Sequence, residues 1–372
     1  MANMNSGGTE AGRPQPQTTV EPAGGPFIRH SQPGRRTQYT LSSQPFGQVI
    51  TQPLVQVPGY ISKYRLQFQT SGGSGGNAVL NADAPYDMVS LVTLKDAFGT
   101  PLIVAPGYTA LKLIPMYGGG FGMGLQRDPA NLPGWVGSDT SGNFTFQTAL
   151  PLEFTKGYGL ISGANASLLP TLQFNMNTAS GVYSTVPTTT PTVNLTVDSD
   201  FYWLPEGVNI EPPGLGTTRR YVYQQTTPGI PSASTTSVQF PRLGGYLDTI
   251  IMELRDSTGA RVDAWPTRLR IYVDGVQLVD SSITDIYNDM AIAYQGVTRP
   301  TGVIALSRKT SLAQWDMGHF DTGEQYLSTN PGTLIEIQGA PWGTITNSPA
   351  TLNVTVGQVV PSGTLIQGLP EL

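Results

Sequence analysis

The chain has 372 residues, enough for two or three domains, and a formal net charge of −5, which leaves no electrostatic footprint for wrapping nucleic acid. It contains no cysteine, which excludes disulfides, thiolate metal sites and cysteine nucleophiles together. Charged residues make up 12%, about half the usual share, while Gly and Pro number 44 and 31, so turns and long connections abound.

Residues 1–45 are rich in Gly, Pro, Gln, Ser and Thr and lack apolar periodicity, so they are expected to form an extended or disordered N-terminal arm. Arg29, His30, Arg35 and Arg36 form a basic cluster in this arm, suited to an anionic lipid surface or a partner subunit. From residue 46 the period becomes two. In Lys63–Thr70 the side chains of Tyr64, Leu66 and Phe68 point one way and those of Arg65, Gln67 and Gln69 the other, as in a half-buried strand. Further strands are expected over Asp87–Lys95, Thr109–Met116, Gly142–Thr148, 171–177 and 192–203, where Pro205 ends the run. Residues 206–238 read as a Pro/Gly/Thr-rich linker with a short strand at Tyr221–Tyr223.

In the second half, Leu247–Arg255 is a strand and Arg268–Asp280 a hairpin turning at Asp274-Gly275, a dipeptide suited to two positive-φ positions. Ile283, Ile286, Tyr287, Met290 and Tyr294 repeat at helical spacing, with Ser281, Ser282 or Thr284 as cap. Strands follow near Thr301–Leu306, Gly332–Gln338 and Thr351–Val359.

Three segments return in the same order. Thr192–Val197 (TVNLTV) reappears 159 residues later as Thr351–Val356 (TLNVTV). The alternating run from Leu172 has a counterpart 162 residues on, from Leu334. Pro58-Gly59-Tyr60-Ile61 matches Gly244-Gly245-Tyr246-Leu247, 186 residues on. Such self-similarity indicates a tandem duplication. About eight short strands per half, with long loops and a rare helix, indicate an all-β protein of two tandem jelly-roll sandwiches, residues 46–205 and 239–372.

Catalytic signals are sparse. The two histidines are His30 and His319, too few for the imidazole cluster of a metal-binding barrel. A Ser-His-Asp triad at His319 would lack a strand-to-helix nucleophile elbow, since Gly-Gly-Ser-Gly-Gly (72–76) reads as a loop separating strands. Asp316, Asp321 and Glu324 in WDMGHFDTGE (315–324) offer carboxylates for a glycosidase or, with His319, for a metal, although a polar loop is the simpler account. Asp198 and Asp200 carry no stronger signal, and GGGFGMG (118–124) lacks the Lys of a phosphate loop. No apolar run reaches the roughly 18 residues of a membrane span. The N-terminus shows no basic-then-apolar signal layout, so the sequons at Asn143, Asn165, Asn194 and Asn353 read as by-products of a Thr-rich β protein.

The series YRLQFQT (64–70), DMVSLVTLKDAFGTPL (87–102), TALKLIPMYGGG (109–120) and LTVDSDFYWLPE (195–206) resembles the double jelly-roll major capsid proteins of tailless, internal-membrane (tectivirus-like) bacteriophages, whose fold is shared with adenovirus hexon. The Phe201–Pro205 ending is similar to the close of the first jelly roll in that lineage, and the resemblance extends over residues 46–360. The Pro/Gly-rich arm departs from the more helical N-termini of the family. The resemblance implies a non-enzymatic subunit without cofactor or metal, in homotrimeric, pseudo-hexagonal capsomers of an icosahedral virion shell assembled in the host cytoplasm. It further implies contacts with neighbouring capsomers, vertex and minor capsid proteins, and an internal lipid membrane met by the arm through Arg29, Arg35 and Arg36. Loops 117–147 and 295–330 would form outward towers, and no sequence-specific nucleic-acid contact is expected. The alternatives are a glycan- or receptor-binding β-sandwich (a virion spike or an adhesin) and a two-carboxylate glycoside hydrolase.

Overall fold

The computed structural model of the chain describes residues 25–361 except 119–127, 133, 155, 166–168, 214–215, 226–228, 295–296, 308–326 and 340. The first half contains β1 (Gln32–Gln44), β2 (Val49–Pro53), β3 (Tyr60–Ser71), β4 (Val79–Leu80), β5 (Val89–Lys95), β6 (Pro101–Ala105), β7 (Thr145–Pro151), β8 (Ile161–Ser162), β9 (Thr171–Met176), β10 (Tyr183–Thr185) and β11 (Thr192–Trp203). The second contains β12 (Thr217–Gln225), β13 (Ser237–Arg255), β14 (Arg268–Val273), β15 (Val276–Ser282), β16 (Val303–Ser307), β17 (Leu327–Gly339) and β18 (Thr351–Pro361). The helices are α1 (Gly25–His30), a π-type helix over Thr109–Gly118, α2 (Ala179–Val182) and α3 (Ile283–Ala293).

The pairing is that of a jelly roll, executed twice. In the first roll β1-β11-β3-β7 face β2-β9-β5-β6. Phe68 on β3 stacks on Phe146 of β7 at 4.9 Å and meets Phe174 of β9 edge-on at 5.7 Å, which ties the two sheets through their core. In the second roll β12-β18-β13-β16 form one sheet and β13-β17-β14-β15 the other. Strand β13 serves both. Its segment Ser237–Leu247 pairs with β17 and Tyr246–Arg255 with β18. The changeover needs Gly245, at φ 115°, where a Cβ would lie 2.6 Å from the Val359 carbonyl oxygen.

All three repeated segments occupy corresponding strands. Tyr60-Ile61 opens β3, which pairs with β11, and Tyr246-Leu247 begins the part of β13 that pairs with β18. The Leu172 run lies in β9, between β5 and β2, and the Leu334 run in β17, between β14 and β13. The TVNLTV and TLNVTV segments lie in β11, between β1 and β3, and in β18, between β12 and β13.

The expected hairpin and helix are present. Asp274 and Gly275 take φ 49° and 77°. Ser282 caps α3 by accepting from the Asp285 amide at 3.1 Å, and Ile286 and Met290 are buried. Three expectations need correction. Thr109–Gly118 is a helix, not a strand: Thr109–Leu111 and Leu113–Gly118 are all buried, so no polar face marks a helical period. The linker 206–238 contains the nine-residue strand β12, where the expectation was three residues. The arm 1–45 is extended over Gln32–Gln44, but as the edge strand β1, hydrogen-bonded along β11. Gln38 alone is fully buried in β1, so its apolar alternation is absent and the sequence imitates a tail.

The two rolls are joined by main chain. Strands β6 and β12 pair in parallel through Tyr221↔Ile103 and Val222↔Val104. Within the first roll β11 runs from the helix-bearing end (Asn194↔Gln69↔Thr145) to the opposite end (Asp200↔Lys63↔Pro151). Since β6 leads into the Thr109–Gly118 helix and β12 runs parallel to it, both rolls point the same way. The Thr109–Gly118 helix, between β6 and β7, and α3, between β15 and β16, therefore share one end. They meet there: Tyr117 and Tyr294 are edge-to-face at 5.0 Å, and the Tyr294 hydroxyl bonds Ser307 Oγ at 2.6 Å. The β5–β6 and β14–β15 turns, the start of β1 and the end of β18 share the other end.

Candidate functional site

Strands β1, β3 and β11 alternate, so their even-numbered or odd-numbered polar residues share the outer face of the first sheet. On this face, at the end opposite the helices, three cations converge on Asp200. Arg35 donates through Nε to Oδ1 at 2.8 Å, Arg65 through Nε to Oδ2 at 2.7 Å, and Lys63 Nζ lies 3.4 Å from Oδ2. Burial alone would raise the Asp200 pKa, but the bonds from Arg35 and Arg65 hold it below its ordinary value. Burial lowers the Lys63 pKa, with Asp200 opposing.

The connection after β7 folds over this face, with Leu152 and Glu153 amides donating to the Ser62 carbonyl at 3.1 and 3.0 Å. It builds a cavity of about 620 Å³ lined by residues including Arg35, Lys63, Arg65, Glu153, Lys156 and Asp200. Glu153 accepts from the Gly157 amide at 2.6 Å and the Tyr202 hydroxyl at 3.2 Å; its burial pushes its pKa up.

The basic residues expected in the arm fall in three places. Arg35 is in the Asp200 cluster, while Arg36 donates through Nη1 to the Gln56 carbonyl at 2.7 Å. Arg29 is exposed in the last turn of α1. Phe27 anchors that turn, only 1% exposed, with its ring edge-on to Tyr60 and Tyr202. Sequence reading missed Lys63, Arg65, Glu153 and Lys156. One signal was available: Lys63 and Arg65 occupy alternate outward positions of one strand, as do Asp198 and Asp200 of its neighbour. The WDMGHFDTGE segment (315–324), with Asp316, His319, Asp321 and Glu324, lies outside the described residues. Among the described residues no three His, Asp or Glu side chains gather as a metal site would require.

A second polar cluster spans the joint. Asp83 of the first roll accepts from Arg261 Nε at 2.8 Å and Arg255 Nη2 at 2.6 Å. Arg255 also pairs with Glu253, and Arg261 lies 4.5 Å over the Tyr108 ring.

No family model matches the sequence, and no curated protein matches it. Solved structures do resemble it. The STIV MCP superposes with a TM-score of 0.60 at 16% identity, covering 91% of this chain and all of that one (100%). PBCV-1 VP54 gives 0.60 at 13% identity, covering 88% of this chain and 93% of that one. The major capsid protein P2 from Bacteriophage PM2 gives 0.52 at 11% identity, with 89% and 99% covered. The chain has the fold of the double jelly-roll major capsid proteins. In this double jelly roll the two sandwiches share one polarity, and the Asp200 cavity lies at the end away from the paired helices.

Proposed function

We propose that the chain is a non-enzymatic structural subunit of a viral capsid shell. The observation that carries this reading is the double jelly roll itself, with its parallel β6–β12 joint. That joint gives one molecule two unlike ends. One bears the Thr109–Gly118 helix and α3; the other bears the start of β1, the end of β18 and the exposed turn residues Phe98 and Val276, 65% and 62% accessible. A shell subunit needs such an asymmetry, because its outer and inner surfaces meet different environments. The 12% charged content suits a protein whose flanks are covered by other copies.

In this reading three chains form a pseudo-hexagonal homotrimer, a closed heterologous ring. Such capsomers tile an icosahedral virion shell, assembled in the host cytoplasm, together with vertex and minor capsid proteins. The end carrying the start of β1 and the end of β18 faces inward, and the N-terminal arm with Arg29 meets an internal membrane. The glycan- or receptor-binding alternative requires a face of exposed aromatic rings. Phe98 and Tyr246 are the strongly exposed rings among the described residues, one on each roll, and no specific observation favours that reading.

Light scattering coupled to chromatography tests the proposal. The expected particle is three times 39.7 kDa, stable to dilution and dissociating as it unfolds. A well-behaved monomer refutes the trimer. Removal of residues 1–24 combined with Arg29→Gln is expected to leave the trimer intact and to impair shell or membrane assembly, scored by virion yield; a normal yield refutes the role of the arm.

A further inference from the structure

The Asp200 cluster holds more positive charge than its carboxylates neutralise. Arg35, Lys63, Arg65 and Lys156 line the cavity against Asp200 and Glu153, with Asp198 next to them on the same sheet face. Both arginines use Nε to hold Asp200, and among the described residues their Nη groups meet no acceptor. Lys156 is exposed at the rim without an ion-pair partner among the described residues. Glu153, 8% accessible, is held by the Gly157 amide and the Tyr202 hydroxyl and also faces Lys63 and Lys156 electrostatically, so four cations stand against three carboxylates when Asp198 is counted.

Two guanidinium edges and an ammonium around a cavity of about 620 Å³ form a donor set that one more carboxylate would not satisfy. A carboxylate offers two oxygens, and Asp200 already supplies that geometry from the floor. A phosphate group offers more oxygens, carries more charge, and is matched by guanidinium forks. Fixing Arg35 and Arg65 through Nε also lowers the entropic cost of presenting their Nη edges to a ligand.

We propose that this cavity is a binding site for a phosphate group, held by Arg35, Arg65 and Lys156 over the Asp200 floor. The ligand is either free phosphate or a phosphoester, including a lipid headgroup, since the chemistry recognised is the same. The proposal is independent of the capsid reading, because binding is measured on the purified full-length chain whatever its assembly.

The test titrates the chain with inorganic phosphate in a calorimeter, at ionic strength held constant with chloride. Saturable binding is expected, weakened about tenfold or more by Lys156→Gln and by Arg65→Gln. Arg268→Gln, which breaks an exposed pair with Asp280 elsewhere, is expected to leave it unchanged. Lys156 is exposed, so its substitution keeps the test valid should Arg65→Gln unfold the chain. Absence of saturation, or equal binding by Lys156→Gln and the unaltered chain, overturns the proposal. A second arm floats the chain on phosphatidylglycerol vesicles. Flotation that inorganic phosphate competes away and Lys156→Gln abolishes supports the site and identifies the source as a headgroup. Saturable phosphate binding without flotation supports it for a soluble phosphate.

Discussion

The ion pair between Arg219 and Asp248 gives the sharpest test of the packing at the joint. Arg219 lies on β12, the strand that bonds across to the first roll, and Asp248 on β13. Their side chains are 1% and 2% accessible, with Arg219 Nη2 2.5 Å from Asp248 Oδ2. Taking two charges out of water costs several kcal/mol each, and their attraction repays this only while both are present. Asp248→Ala therefore takes this carboxylate away from a buried guanidinium and is expected to cost about 3–5 kcal/mol. At roughly 2–4 °C per kcal/mol for a large domain, the melting temperature falls by about 6–20 °C. Replacing both partners by apolar residues, Arg219→Met with Asp248→Leu, removes the stranded charge and is expected to recover most of the loss. Thermal unfolding of the two single variants and the double variant completes the cycle. A loss below about 1 kcal/mol for Asp248→Ala, or a double variant as unstable as the sum of the singles, refutes the reasoning.

Gly107 precedes the Thr109–Gly118 helix, and a Cβ there would lie 1.9 Å from the Val89 carbonyl oxygen and 2.5 Å from that of Tyr86. Gly107→Ala is expected to cost about 1–3 kcal/mol or more in a chemical-denaturation series. Gly99→Ala, at φ 85° with open space around it, is expected to cost only about 1 kcal/mol, and equal losses would refute the steric account. Burial pushes the Asp87 carboxyl up to about 7 from its ordinary 3.8, with Asp83 adding and Arg255 opposing. The folded state then binds the proton more tightly than the unfolded chain, so this group's stabilisation is complete at low pH and is lost as pH rises toward 7. Asp87→Asn is expected to flatten that part of the stability profile between about pH 4 and 7, and unchanged slopes would refute the assignment. Ser282→Ala removes the α3 cap and is expected to cost about 1 kcal/mol in thermal unfolding, against no change if the cap contributes nothing.

The parts of the fold that were legible in the sequence are those where one side of a strand is wet. The runs at 64–70, 172–176 and 192–197 alternate because β3, β9 and β11 each bury one face, and the duplication could be read for the same reason. Legibility failed where burial was uniform in either direction. The Thr109–Gly118 helix is buried almost throughout and reads as an apolar run, whereas β1, largely exposed, reads as a tail. The Asp200 cluster was hidden for a different reason. Its members come from residues 35, 63–65, 153–156 and 200, and only the register of β1, β11 and β3 brings them to one place. Neighbouring polar alternation hinted at complementary charge on one face, but the strand order that joins the two runs is not encoded in local pattern.

The parallel β6–β12 joint is the step by which duplication acquires a consequence. Two jelly rolls joined by antiparallel strands at those positions would point in opposite directions, with the Thr109–Gly118 helix at one end and α3 at the other. Parallel pairing instead places corresponding parts side by side: the two helices meet through Tyr117 and Tyr294, and the two turn residues Phe98 and Val276 are exposed at the other end. The join is then fixed by buried and half-buried groups from both halves. Gly118 leaves room for Tyr221, whose hydroxyl oxygen would lie 2.3 Å from a Cβ there, and Asp83 of the first roll holds Arg255 and Arg261 of the second. Separating the rolls would break the pairs of Asp83 with Arg255 and Arg261, so relative motion between them costs ion pairs as well as strand hydrogen bonds. A unit with one fixed polarity and a stiff middle is what lateral assembly into a curved, two-sided shell requires.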